Sequence, residues 1–445
     1  MDAYDPSEDS DDPLDALRQL MRELGLPADA DVNDAEVRVD LFRTMIQRLM
    51  PANDMTDEAV IWETARQTAR RVVAGLGPDP SCNSRTSRQV SDAVHLAELW
   101  LSEATALPPV PMMPLAWSRA EWIESTLPSW KAMIEPVLGV LSNAVSLAIQ
   151  SRMDLQAEGE IAQLQAILQP IMSRTICAMF GAHVGEGLGR AATATMTGTD
   201  LGLPLLERAQ IGILPTNLSA VQQQAELEEE GLLLYCAIRE AARQRLFSEI
   251  GWITPQIIAL VQHYARETRV DPEAIANAVE SVVPDHLSAE TVVAFQTDFS
   301  AILFARDQSE EQDHILDRLA TLLAEVEGWV DDVASSVAKQ RLPGWEAIAE
   351  SLRRHRATTQ PVQGTVTPLI GLNASPQSIR QAAQFWQAIR LDQGIEARDE
   401  IWRHPEAMPE AQELLDPAAF MAKPADAEDA LDEELRRFLD QPDQA

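Results

Sequence analysis

Cysteine is scarce. The 445 residues hold only Cys82, Cys177 and Cys236, an odd and unevenly spaced set that supports neither a disulfide framework nor a cysteine-based zinc site. A reducing, cytoplasmic setting is the expectation. Basic charge is also thin: 35 Lys and Arg stand against 70 Asp and Glu, a formal net charge of −35, which repels nucleic acid and anionic membrane surfaces. Both drop out as partners. Long hydrophobic runs are absent too. The longest apolar stretch, residues 137–149, is interrupted by Ser142, Asn143 and Ser146; it is too short to span a bilayer and reads as a core helix. The first twelve residues lack the basic segment and apolar run of a secretory signal and read as a disordered acidic tail. No Gly-x-Ser-x-Gly elbow or Ser/His/Asp order supports serine-hydrolase chemistry. The run from Gly185 to Gly189 has the wrong glycine spacing for a dinucleotide fingerprint, and no strand precedes it.

What the chain does have is helical periodicity. Hydrophobic content is 46%, and strictly alternating β-branched runs are scarce, so a mainly α, multi-helical fold is expected, with at most a short strand or hairpin. The candidates for a short strand or hairpin beside the site are Leu201-Gly-Leu-Pro-Leu205 and Ile211-Gly-Ile-Leu-Pro215. Helices are expected at residues 13–24, 35–49, 57–75, 87–106 and from 117 onward with Ser118 as cap. A stretch at 161–189 should be kinked or broken at Pro170. Further helices are expected at 226–248, 255–268, 271–282, 315–340, 376–393 and 397–402, with shorter ones between 283 and 307. In the 161–189 stretch Gly181, Gly185 and Gly189 recur every fourth residue, a spacing that lets another backbone come close. The expected organisation is an acidic tail at 1–12, a helical region at 13–130, a core at 131–356, a helical region at 357–420 and a partly helical acidic tail at 421–445.

The segment from Ala237 to Phe247 carries the frame of a zinc-peptidase helix. Two histidines separated by three residues project from one helix face and hold one metal, and the glutamate after the first activates a metal-bound water. Here Arg239 and Arg243 occupy the two ligand positions and Glu240 keeps the place of the base. A guanidinium has no lone pair to donate and stays protonated, so these two residues bind no divalent metal. On a helical wheel they share an arc with Leu232, Cys236 and Leu246, flanked by Glu240 and Phe247. Charges on such a face must be paired or wet, or the arginines must snorkel out at the edge of the core.

Together with Leu96-Ala-Glu-Leu-Trp-Leu-Ser-Glu-Ala-Thr105, Trp117-Ser-Arg-Ala-Glu-Trp-Ile-Glu-Ser-Thr-Leu-Pro128, Gly198-Thr-Asp-Leu-Gly-Leu-Pro-Leu205, Val326-Glu-Gly-Trp-Val-Asp331 and Leu342-Pro-Gly344, this segment resembles an actinobacterial zincin-like family of zinc-dependent metalloproteases and hydrolases. The resemblance spans residues 61–417. Members with an intact motif read His-Glu-x-x-His and, on a later helix, Glu-Gly-His. The resemblance therefore puts the first ligand position on Arg239, the base on Glu240, the second ligand on Arg243 and the third on Glu327, with Trp329 in place of the later histidine. It implies a degenerate metal site without zinc or another cofactor, in which Arg239 or Arg243 bridges to Glu327. The alternative is an active hydrolase that uses Glu240 with non-standard ligands. Asp331 lies beside the later motif, His263 is the candidate substitute donor, and Trp329 would narrow a cleft between the two helices. The remaining histidines read as packed (His183) or surface residues, His355 among them. The expectation is a pseudoenzyme, a binding or scaffold module for a peptide or protein that the sequence does not name.

Overall fold

The computed structural model describes residues 56–111, 113–153, 160–206, 210–267, 309–359 and 375–422. The helices expected at 13–24, 35–49, 271–282 and within 283–307 lie outside these, as do the amino-terminal tail and residues 423–445. The described chain is mainly α-helical, with one two-stranded sheet. In order it forms α1 (Asp57–Gly75), α2 (Ser84–Leu101), β1 (Met113–Ala116), α3 (Arg119–Met153), α4 (Glu160–Ala194), β2 (Gln210–Ile213) and α5 (Pro215–Ala225). There follow α6 (Glu229–Glu249), α7 (Ile253–Glu267), α8 (Glu310–Arg341), α9 (Trp345–Thr359), α10 (Pro376–Glu400) and α11 (Pro417–Met421). Among the described residues no helix is long and apolar enough to cross a membrane.

The chain divides into two compact units, one drawn from residues 1–64, 141–181 and 270–303, the other from 65–140, 182–269 and 304–445. In the first, Gly181 packs against α1: a Cβ there would lie 2.4 Å from the Ile61 carbonyl oxygen. In the second, Gly185 meets α1 in the same way, 2.3 Å from the Ala65 carbonyl oxygen. The four-residue glycine spacing thus lets helix backbones touch. α4 is continuous across position 170 rather than broken there, since a long helix can absorb one lost hydrogen bond when the turns on both sides are intact.

The larger unit is built around α8, which packs on α6, α7 and α10. Its start is fixed by a capping box between Ser309 and Gln312. Leu319, Leu323, Val326, Val330, Val333 and Val337 are buried as the helical period requires, joined by Ile315, while Leu316 is half-buried. α3 opens on a second box, in which Glu121 N donates to Ser118 Oγ and Ser118 N donates to Glu121 Oε2. α10 breaks at Gly394, whose φ of 94° is non-helical, near the gap expected between residues 393 and 397.

The sheet differs from a hairpin. β2 pairs in parallel with β1, Met113 opposite Gln210 and Ala116 opposite Ile213. The Gly/Pro breaks around residues 201–215 resembled hairpin punctuation, but parallel strands need a long crossover, which α3 and α4 supply in sequence between β1 and β2. The other edge of β2 holds the segment after α4: Gly198 N donates to Gly212 O, and Leu214 N donates to Met196 O, both at 2.9 Å. This holds residues 196–198 against β2, with Thr197 bridged to Ile213, and the chain then turns beside α6, where Gly202 N donates to Thr199 O. Gly212 is required there, because a Cβ would overlap the Trp117 ring at 1.9 Å.

The later motif's glycine has a similar reason. A Cβ on Gly328 would stand 2.7 Å from the Ala382 carbonyl carbon and the Ala383 nitrogen of α10. Gly→Ala in a helix normally gains up to about 1 kcal/mol, but here Gly328→Ala should instead destabilise by about 1–3 kcal/mol through overpacking. Urea unfolding followed by circular dichroism checks the sign.

Candidate functional site

α6 is buried along most of its length, and Arg239, Glu240 and Arg243 are buried with it rather than snorkelling to solvent. Their partners come from three other places. Glu327 on α8 accepts from Arg243 Nε at 2.7 Å on one carboxylate oxygen, and from Arg239 Nη2 at 2.8 Å on the other. Arg356 on α9 donates to that second oxygen at 3.2 Å, and also to Asp200 at 2.8 Å. Arg239 forms a further ion pair with Asp331, one turn beyond Glu327. Three guanidinium groups therefore face four carboxylates around a single shared acceptor, and Glu327 is its centre. Gly202, at φ 75°, passes directly over the Glu327 side chain, where a Cβ would lie 3.3 Å from Cγ.

Glu240 is closed in on every side. Its Oε1 accepts from the Thr199 amide at 3.1 Å, the Thr199 hydroxyl at 2.9 Å and Gln244 Nε2 at 3.2 Å. Its Oε2 accepts from the Thr197 hydroxyl at 2.7 Å and Arg243 Nη1 at 2.8 Å. The threonines arrive on the segment that β2 holds in place, Thr197 in its bridge to Ile213 and Thr199 in the turn that follows. Trp329 does not narrow the space between α6 and α8: its indole N–H donates to Asp399 at 2.8 Å, and Arg398 stacks over the ring at 5.5 Å. His263 is not brought to the site either. It lies exposed on α7, because the apolar face of that helix, Ile257, Leu260, Val261 and Tyr264, is the one turned inward. His355, expected at the surface, is half-buried on α9, with a ring nitrogen 3.1 Å from the Ala194 carbonyl oxygen.

The family match spans this whole arrangement: residues 60–421 match the family described as zincin-like metallopeptidase. The chain belongs to the zincin-like metallopeptidase family. A search of curated proteins returned no match. Among solved structures, the fold is similar to a crystal structure from Chloroflexus aurantiacus, provisionally described as a hydrolase with a novel fold, at 19% identity and a TM-score of 0.53, covering 81% of this chain and 97% of that one.

A zincin metal does not fit the residues present. Arg239 and Arg243, where the sequence resemblance expects ligands, are cations, and both guanidinium groups already occupy the Glu327 carboxylate. Among the described residues no group of three His, Cys, Asp or Glu side chains is arranged to hold a metal ion. Sequence spacing brought Arg239, Glu240 and Arg243 together, and the family resemblance added Glu327. Arg356, Asp200, Thr197, Thr199 and Gln244 went unseen. Gly198-Thr199-Asp200 was visible as a shared segment without a role, whereas Arg356 sits in a basic run, Arg353-Arg354-His355-Arg356, that looks like a solvated helix face.

Burial and pairing oppose each other at every charge here. Burial pushes the Glu327 carboxyl up, but Arg243, Arg356 and Arg239 outweigh it and hold it below the usual carboxylate range. Asp200 is likewise raised by burial and pulled further down by Arg356, Arg243 and Arg239, to about 2. For Glu240 burial wins over Arg243 and the threonine and glutamine donors, and its value is raised. Arg239 falls to about 10 through burial and the repulsion of Arg356. The depressed carboxylates contribute stability that is complete above the unfolded-state value near 4 and is lost as pH falls toward 2. Glu240 works in the opposite sense: its raised value favours the fold at low pH, and that contribution disappears as pH rises through it. Between pH ~4 and ~2 the wild type should therefore lose about 2 kcal/mol more stability than Asp200→Asn, as measured by denaturant titrations at each pH.

Proposed function

We propose that this chain is a zincin-like protein whose metal site has been replaced by a guanidinium and carboxylate cluster, and that it acts as a binding or scaffold module for a peptide or protein rather than as a peptidase. The observation that carries this reading is the seating of both Arg239 and Arg243 on Glu327. A divalent ion would be repelled by the two cations and would find the remaining carboxylate taken. Glu240 supports the same reading. A general base needs an oxygen within hydrogen-bond reach of the water it deprotonates, whereas both Glu240 oxygens are filled by Thr197, Thr199, Gln244 and Arg243. A cytoplasmic setting agrees with the three free cysteines, two of them buried.

Elemental analysis of the purified full-length chain tests the reading. We expect far less than one zinc per chain and no chelator-sensitive hydrolysis of a casein substrate. Stoichiometric zinc that disappears in Glu327→Ala would overturn it and restore an active, metal-dependent hydrolase.

A further inference from the structure

Two pockets flank the cluster, and their linings differ in kind. One borders Asp331 and is ringed by charge, including Glu346, Glu350, Arg353 and Arg380. The other, of about 390 Å³, opens on the Glu240 side between α3, the residue 199–206 segment, α6 and α7, and among the described residues no ionisable side chain lines it. Met133, Leu206, Phe247 and Ile258 give it apolar walls, and Ser129, Ser248 and Thr254 add neutral hydroxyls. In a chain of net charge −35, a cavity whose described lining is uncharged is a selective feature. Entering it removes a ligand's charge from water with no counter-charge to compensate.

The polar end of this pocket is built. Gln244 lines it while being 4% exposed. Its Nε2 is directed away, donating to Glu240 Oε1 at 3.2 Å and Thr199 Oγ1 at 3.4 Å. The carboxylate of Glu240 fixes that orientation, since it accepts and does not donate when ionised. The amide oxygen of Gln244 accepts no hydrogen bond among the described residues, so it remains as the open acceptor at the pocket end. Thr199, whose hydroxyl donates to Glu240, stands beside it. The volume falls in the range of small-molecule sites.

We propose that this pocket binds an uncharged aliphatic ligand carrying an N–H donor, its apolar body on Met133, Phe247 and Ile258 and its donor on Gln244 Oε1. This deepens the binding-module reading, on which it rests. The discriminating element is charge: a cation or anion of the same shape is rejected because neither finds a counter-charge among the described lining residues.

Ligand-observed NMR titration of the full-length protein with isovaleramide, isovalerate and isoamylammonium tests it, since the three share one branched skeleton and differ in the head group. Isovaleramide should bind at least about tenfold more tightly than either ion. Ala132→Trp, on the exposed rim of α3, should abolish binding by filling the pocket without touching Glu240. Gln244→Met should weaken isovaleramide by about tenfold through loss of the acceptor. Equal binding of the three probes, no binding of isovaleramide, or binding that survives Ala132→Trp would each overturn the proposal. Zinc content measured on the same samples separates the two readings: zinc-free protein that ignores isovaleramide sinks the pocket alone, whereas zinc-loaded protein sinks the binding-module reading itself.

Discussion

One carboxylate organises this protein's interior. Glu327 on α8 accepts hydrogen bonds from Arg239 and Arg243 on α6 and from Arg356 on α9. A lone charge at such depth would be costly, and so would any of the three guanidiniums. Only their mutual satisfaction makes the arrangement tolerable, so the cluster forms as a whole and ties three helices at one point. A tetrahedral ion cross-links elements in the same way elsewhere; here planar groups of fixed charge do so.

Around this centre the backbone is arranged to let charge come close. β2 holds Met196 to Gly198, and the turn that follows runs on to Asp200; together they deliver Thr197 and Thr199 to Glu240 and Asp200 to Arg356. Gly202 permits the return path over Glu327, and Gly328 lets α8 touch α10. A second buried network lies on the far face of α8, where Arg390 and Arg398 meet Asp332, and Arg398, Trp329 and Thr105 meet Asp399. Trp329 belongs to that network, and its neighbour Gly328 is explained by packing rather than by a ligand.

Helices were legible because apolar residues repeat at the helical period and because Ser118 caps one of them; the cap at Ser309, ahead of the expected start at Ile315, was not read. β1 was missed: four residues long and containing Pro114, it has no alternation to read, and its partner lies about a hundred residues later. The site was half legible for the same reason. Arg239, Glu240 and Arg243 share one helix face, which spacing alone reveals, but Arg356 and Asp200 reach Glu327 and the arginines only through tertiary packing. His263 looked promising by proximity in sequence, and the inward face of α7 turned it out to solvent.

The central claim is that ion pairing, and not metal, holds α6 to α8. Urea unfolding of the wild type with and without a strong chelator, alongside Glu327→Ala, tests it directly. The account predicts the same midpoint for the wild type in both conditions and a loss of about 3–5 kcal/mol in Glu327→Ala. A chelator that lowers wild-type stability as far as the substitution does would contradict it.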